Sequence, residues 1–302
     1  LKIIDVCLHQ IVSLDHSDLT KNNRNVSVIG WVIDHKSLME FLFHKVYQSP
    51  YINSYIGIDL SHDKLPSNLE IAADGPNSYN RNRKGIGVVK YPYKAACLTV
   101  QVLIRGLKPL EAFEILRPEG PLALLPMGGD RFQVVLTAPL DKCIELTSVP
   151  DSIFLDRLST ILPYGFEPDI ILDQVSYFPL ELIMAKSLYK DNLLLVGESA
   201  HRFHPVGGQG LNVCWRDVNC LIKMIDKNTK TKTIDIPNLS SSYSINRYLD
   251  ILIVALLTHL MILIYSNSNF LLKIARYPLF PFMNRFKFLR RFVLKIMTDG
   301  FV

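Results

Sequence analysis

The run Leu193-Leu194-Leu195-Val196-Gly197-Glu198-Ser199-Ala200-His201-Arg202-Phe203-His204-Pro205-Val206-Gly207-Gly208-Gln209-Gly210-Leu211-Asn212 limits what this chain can fold into more than any other stretch. Its four leading apolar residues have the length and type of a buried parallel strand. A carboxylate, Glu198, stands at the strand's end, and glycines 207, 208 and 210 follow in the loop. Beyond them Leu211, Trp215, Val218, Ile222 and Ile225 recur at helical spacing, with Asn212, Arg216, Asn219, Lys223 and Asp226 opposite. The glycines therefore sit just before a helix N-terminus. Unpaired amides and the helix dipole there favour an anion or an electron-rich carbonyl, and glycine lets a flat ligand approach the backbone. With Glu198 as an acceptor for hydroxyl groups, the ligand suggested is polyhydroxylated at one place and electron-rich at another. Any one glycine, taken alone, is as well read as a turn residue. His201 and His204 lack a third or fourth ligand at a supporting spacing, so no metal is expected.

At 302 residues the chain can bury a substantial core in one large or two ordinary domains. Cys7, Cys97, Cys143, Cys214 and Cys220 are odd in number and scattered, as buried reduced thiols of a cytoplasmic compartment would be. The net charge of +5 is local: from Ser266 onward Lys273, Arg276, Arg285, Lys287, Arg290, Arg291 and Lys295 face a single acidic residue, Asp299. That distribution argues against a nucleic-acid-binding body and for one cationic end. In the same tail Phe270, Pro278, Phe280, Phe282, Phe286, Phe288 and Phe292 interleave with the bases, which suits either an anionic membrane surface or a solvated terminal helix. Ile251 to Tyr265 is almost wholly apolar, but its 15 residues fall short of a bilayer span, so a buried helix is expected there, with His259 at its interior or pocket edge. No secretory leader is visible at Leu1.

In chain order, Lys2 to Val12 suggests one or two strands, and 15–24 a polar turn. Asp34 reads as the N-cap of a helix whose face is Leu38, Phe41, Leu42 and Val46, ending before Pro50. Leu69 to Ala73 is a short strand running into Asp74-Gly75-Pro76-Asn77, a tight turn at a second strand edge. From Tyr93 the pattern becomes an antiparallel meander. Leu98, Val100, Val102 and Ile104 point one way, with Thr99, Gln101 and Arg105 on a wet or ligand-facing side. Further strands are expected at 111–116, 122–125 and 132–137, a helix at 152–162, a strand at 170–177 and a solvated loop at 226–233.

The ordered run Gly-Glu-Ser-Ala-His, His-Pro-Val-Gly-Gly-Gln-Gly-Leu-Asn and Trp-Arg-Asp-Val resembles the second flavin motif of the FAD-dependent aromatic-ring hydroxylases. These form the p-hydroxybenzoate hydroxylase-like superfamily, and the likeness is greatest to its ubiquinone-biosynthesis hydroxylase branch. Ala-Asp-Gly-x-x-Ser-x-x-Arg, about 120 residues earlier, resembles the other motif of that family, and Pro121-Leu122-Ala123-Leu124-Leu125-Pro126 and Phe178-Pro179-Leu180 resemble two more of its signatures. Glu198 stands where the family's aspartate is usual. The resemblance implies an α/β fold: a doubly wound FAD/NAD(P)-binding domain, N-terminally incomplete, with an antiparallel-sheet substrate domain and a helical C-terminus. Residues 1–25 would be substrate-domain strands and 26–84 the Asp-Gly part of the FAD-binding domain. Residues 85–185 would be the substrate sheet, 186–230 the Gly-Glu part and 231–302 the C-terminal helices. The family's opening strand and Gly-x-Gly-x-x-Gly are not found, so a first segment of several dozen residues is expected to be missing.

The implied cofactors are FAD and, as electron donor, NAD(P)H. The implied FAD contacts are Asp74 near the pyrophosphate with Arg81 supporting its loop, Glu198 at the ribityl chain, Pro205, Gly208, Gln209, Gly210, Leu211 and Asn212 at the flavin ring, and in the same two loops Gly75, Gly197, Ala200 and His201. The implied reaction is hydroxylation of a prenylated phenol or quinone precursor with O2. The cofactor carries that chemistry, so no side-chain triad is visible or required. The expected partners are the prenylated aromatic molecule, O2 and, through the basic-aromatic C-terminus, a membrane surface, in a cytoplasmic, membrane-peripheral protein. Two other readings stand beside this: a non-catalytic membrane-peripheral remnant that binds an isoprenoid or a partner, and a reductase or halogenase of the same superfamily.

Overall fold

The computed structural model describes residues 1–19, 27–58, 67–229, 235–267 and 269–301. The chain opens with a hairpin, β1 (Lys2–Asp5) and β2 (Gln10–Ser13), then α1 (His35–Gln48), β3 (Glu70–Ala72) and the single turn α2 (Tyr79–Arg83). The meander follows as β4 (Val88–Arg105), β5 (Phe113–Leu116), β6 (Leu122–Gly128) and β7 (Arg131–Pro139), with α3 (Leu140–Ser148) and α4 (Asp151–Ile161) after it. Next come β8 (Glu167–Ile171), β9 (Ser176–Ala185), β10 (Tyr189–Lys190), β11 (Leu193–Leu195) and β12 (His201–Arg202). The chain closes with α5 (Gln209–Thr229), α6 (Ile236–Tyr265), α7 (Phe270–Arg276), α8 (Leu279–Arg285) and α9 (Lys287–Thr298).

The period-two pattern of β4 has the expected consequence. Ala96, Leu98, Val100, Val102 and Ile104 are fully buried, packed with Phe132, Val134 and Leu136 of β7 and with Cys143, Phe154 and Leu158 of α3 and α4. Thr99, Gln101 and Leu103 lie half-buried on the other face. This sheet runs β12-β9-β4-β7-β6-β5-β1-β2, with β8 also on β4, and is antiparallel except where β1 lies beside β5. A second sheet, β10-β11-β3, carries the motif strands, and its β11 is at most 1% exposed beneath α5 and α6. A third apolar cluster joins the hairpin to the C-terminal helices through Val12, Leu14, Leu116, Val206, Tyr265, Phe280 and Met283.

Several expectations need revision. The strand read over 170–177 is two strands, because Asp173 takes the Gln101 amide at 2.6 Å and turns the chain out of the β4 ladder into β9. The apolar helix read from Ile251 begins at Ile236: Asp235 caps it by accepting from Asn238, and its polar first half hides the periodicity. At 30 residues it is long and apolar enough to cross a membrane by length and composition, with a third of its most apolar window buried. Arg276 and Arg290 are not part of a free cationic surface, since they pair with Asp5 at 3.1 Å and Asp18 at 3.2 Å. The stripe Leu211, Trp215 and Ile222 of α5 is exposed; the helix buries Val213, Asp217 and Leu221 instead. Asp34 does cap α1, accepting from Ser37 at 2.8 Å, although that helix buries no residue. The expected turn over 15–24 is described only to Leu19. Of the loop expected over 226–233, only the part to Thr229 is described, and it is helical.

Candidate functional site

Strands β3 and β11 are parallel neighbours with Ala72 opposite Leu195, so the loops leaving their C-terminal ends emerge side by side. Hydrogen bonds stitch these loops together. Ser199 Oγ donates to the Ala72 carbonyl at 2.7 Å, and Arg81, 2% exposed, donates to the Ser199 carbonyl and the Pro76 carbonyl at 2.8 Å each. Asp74 is exposed at the mouth, accepting from the Asn80 amide at 3.1 Å; burial opposes its ionisation, but bonds from Ser78 and Asn80 hold the carboxyl below the usual range. Between the loops lies a cleft of about 390 Å³ lined by Ala73, Gly75, Val196, Gly197, Glu198, Leu211, Cys214, Trp215 and Val218. The exposed apolar residues of α5 thus have a place: two of them face this cleft.

Gly197 turns the chain at φ +65°, and a Cβ there would meet Cys214 Sγ at 3.3 Å. Its amide donates to Asp217 Oδ2 at 3.0 Å, so Glu198, the next residue, projects outward into the cleft. Asp217 is fully buried and also binds His201 Nε2 at 2.8 Å and Arg247 Nε at 2.7 Å. Burial opposes its ionisation, but the His201 and Arg247 interactions outweigh that and keep the carboxyl below its usual range. His201 and Ala200, each 1% exposed, therefore sit behind the cleft rather than in it.

The glycine loop turns at Gly207 and Gly208, with φ +73° and +62°, and hands over to α5 at Gln209. Nothing lies within 4 Å of where a Cβ would stand at 207, 208 or 210, so the backbone is open to a flat group. Gln209 is buried, donates to the Gly207 carbonyl at 2.9 Å and leaves Oε1 without a partner among the described residues. Asn212 points away, toward the Met297 carbonyl of α9 at 3.3 Å. Open glycines, an orphaned buried oxygen and an outward carboxylate together fit a planar, polyhydroxylated group such as FAD. Of the thirteen residues singled out from the sequence, Gly75, Gly197, Glu198 and Leu211 line the cleft and Asp74 adjoins it. Pro205, Gly208, Gln209 and Gly210 form the loop at the start of α5, while Arg81, Ala200 and His201 brace from within.

Glu114 and Tyr93, which the sequence reading did not single out, lie on the other side of that loop with His204 and His259. Glu114 on β5 is 8% exposed, and burial lifts its carboxyl to about 7 despite a hydrogen bond from the Gly207 amide. His204 accepts from the Val206 amide through Nδ1 at 3.2 Å, has no partner for Nε2 among the described residues, and is pushed by burial down to about 4. The Tyr93 ring stands edge-on to His204, 5.3 Å away, and its hydroxyl lies 3.1 Å from His259 Nδ1; burial raises that hydroxyl to about 12. The available signal for Glu114 was a lone carboxylate inside the apolar run Phe113 to Leu116.

Residues 59–235 match a protein-family model described as "FAD binding domain". Ubiquinone hydroxylase UbiL of Rhodospirillum rubrum is 30% identical over 217 residues, covering 69% of this chain and 49% of that protein. The mitochondrial ubiquinone biosynthesis monooxygenase COQ6 of Xenopus tropicalis is 25% identical over 279 residues, covering 73% of this chain and 59% of that one. The chain thus spans only about half the length of the curated relatives it matches. Among solved structures, HpxO of Klebsiella pneumoniae, complexed with FAD and uric acid, superposes with a TM-score of 0.56 at 17% identity, covering 75% of this chain and 59% of that one.

Proposed function

We propose, from the premise that this chain belongs to the FAD binding domain family, that it serves an FAD-dependent monooxygenase hydroxylating the ring of a prenylated phenol or quinone precursor. The observation that carries this reading is the convergence of two distant loops, those of Asp74 and Glu198, on one cleft. The names of two relatives, ubiquinone hydroxylase and ubiquinone biosynthesis monooxygenase, support the substrate class.

Glu198 would accept from the ribityl hydroxyls, Asp74 and Gly75 would lie at the pyrophosphate, and the open backbone from Gly208 to Leu211 would lie against the flavin ring. Arg81, Ala200 and His201 would hold these loops from behind, and Asn212 would fix the start of α5 to α9. Once bound and reduced by NAD(P)H, FAD supplies the O2 activation by which one oxygen atom enters the ring. The chain's part is to orient the ring on the open face of the large sheet and to keep water from it.

The reading extends to a lipid surface. Leu249, Leu252, Leu256, Leu260 and Leu263 form an exposed stripe along α6, and Phe270, Leu271, Ile274, Phe282, Phe286, Phe288 and Phe292 continue an exposed apolar surface beside Lys273 and Lys295. Such a surface suits contact with anionic lipid, where a prenylated substrate would reside. The test is direct: the purified protein should be yellow with flavin absorbance, and a 2-polyprenylphenol should accelerate its NAD(P)H oxidation and gain one oxygen atom in mass. A colourless, well-folded protein, or NAD(P)H oxidation with no oxygenated product, would overturn the reading.

A further inference from the structure

The large sheet has two unlike faces, and one carboxylate is buried where the open face meets the glycine loop. Glu114, Ala123, Val135 and Thr99 are successive cross-strand partners on β5, β6, β7 and β4, so their side chains share that face. The last three are half-buried, whereas Ile115, Leu124, Val134 and Leu98, their neighbours on the opposite face, are fully buried. The row continues past Glu114 to Ile3 of β1, and Glu114 stands against Gly207, whose amide donates to it. Among the described residues no Lys, Arg or His forms an ion pair with it. A buried carboxylate offers about four acceptor positions, of which the Gly207 amide fills one.

Resting on the reading that a phenolic ring lies on this face, we infer that Glu114 accepts the ring hydroxyl's proton. The phenol O–H bond breaks, the proton passes to a Glu114 carboxylate oxygen, and the electron pair stays on the phenolate, enriching the ring for oxygen insertion. After the product forms, the carboxyl returns that proton to the same oxygen. The titratable groups on the elements around Glu114 leave this exchange undisturbed: His204, just before the glycine loop, is pushed by burial down to about 4 and stays neutral. Cys97, on β4, is pushed by burial up to about 12 and stays a neutral thiol. On β1, Lys2 is engaged with Glu111 and Asp5 with Arg276. On α6, Tyr265 lies beneath the Arg276 guanidinium and His259 is bonded to Tyr93. Burial lifts Glu114 itself to about 7, so it is poised to take a proton near neutral pH.

The test is calorimetric binding of 4-nitrophenol at pH 8 to the protein after incubation with FAD, in two buffers of different ionisation enthalpy. The wild type should take up roughly one proton on binding, because the phenolate and the ionised carboxylate cannot both stay charged side by side. Glu114→Gln should bind with no uptake, and Glu114→Asp should restore it. In turnover the acid limb of kcat/KM near pH 7 should vanish in Glu114→Gln. Equal proton uptake in wild type and Glu114→Gln, or no binding of 4-nitrophenol to the wild type, overturns the assignment. The two readings fail separately. Glu114-dependent uptake in a protein that never carries flavin sinks the monooxygenase reading alone. A hydroxylating protein whose Glu114→Gln variant keeps the wild-type pH profile sinks the assignment of Glu114 alone.

Discussion

Asp217 and Glu114 are both buried carboxylates, and the structure treats them in opposite ways. Asp217 is surrounded by donors, so its carboxyl lies below the usual range, and its contribution is fully present above an ordinary aspartate's titration and lost as pH falls from there through the carboxyl's own lower titration. Asp217→Asn should cost about 3–5 kcal/mol at pH 7, since it removes the carboxylate that pairs Arg247 Nε and His201, leaves Arg247 with Asp250 alone and weakens the Gly197 turn; urea unfolding would measure this, with the gap to wild type closing in acid. Glu114 keeps its proton up to about pH 7 in the fold, where an unfolded glutamate releases it near 4.5. Its ionisation therefore weighs against folding increasingly as pH rises between those values, reaching roughly 3 kcal/mol above them. Glu114→Gln should accordingly be more stable than wild type at pH 8 and no more stable at pH 4, by the same measurement. Sequence spacing could single out Glu198, because strand end, carboxylate and glycines are contiguous. It could not reveal Arg81 bracing Ser199 across 118 residues, nor Glu114 beneath Gly207, because those contacts exist only once two sheets are docked.

Helix α6 divides its residues by face. Val254 and Ala255 are each 2% exposed against the motif strands, whereas Leu252 and Leu256 face outward. Val254→Ala should cost about 1–3 kcal/mol, as the loss of buried methyl groups does. The pair Leu252→Glu and Leu256→Glu should change stability by about 0.5 kcal/mol or less each. The same pair should greatly reduce co-sedimentation with anionic vesicles; unchanged sedimentation would refute the lipid-surface reading. In the glycine loop, Gly208→Val would force a β-branched residue to φ +62°, so flavin content per purified chain should fall sharply. At this scale much was legible: the β4 alternation, the Asp34 cap and the strand-loop-helix of the flavin motif each follow from local pattern. The start of α6 was not, because its first turns are serine- and asparagine-rich and are fixed by a cap and by Tyr243 reaching the Leu195 carbonyl.

Across the whole molecule, the hairpin at the front of the chain and the helices at its back form one unit, through Asp5 with Arg276, Asp18 with Arg290 and the cluster around Leu14 and Phe280. Basic composition alone had suggested a freely cationic tail; two of its arginines instead answer carboxylates that lie more than two hundred and fifty residues away in sequence. FAD at a hundred times its dissociation constant should stabilise the protein by about 2.7 kcal/mol, readable as a rise in Tm that scales with FAD concentration. The Arg81 and Ser199 bonds close the two motif loops on each other with groups from the chain alone. Stripping the cofactor with mild chaotrope should then leave a colourless protein with its circular dichroism intact. Adding FAD back should restore the colour within the time of mixing, without a refolding phase.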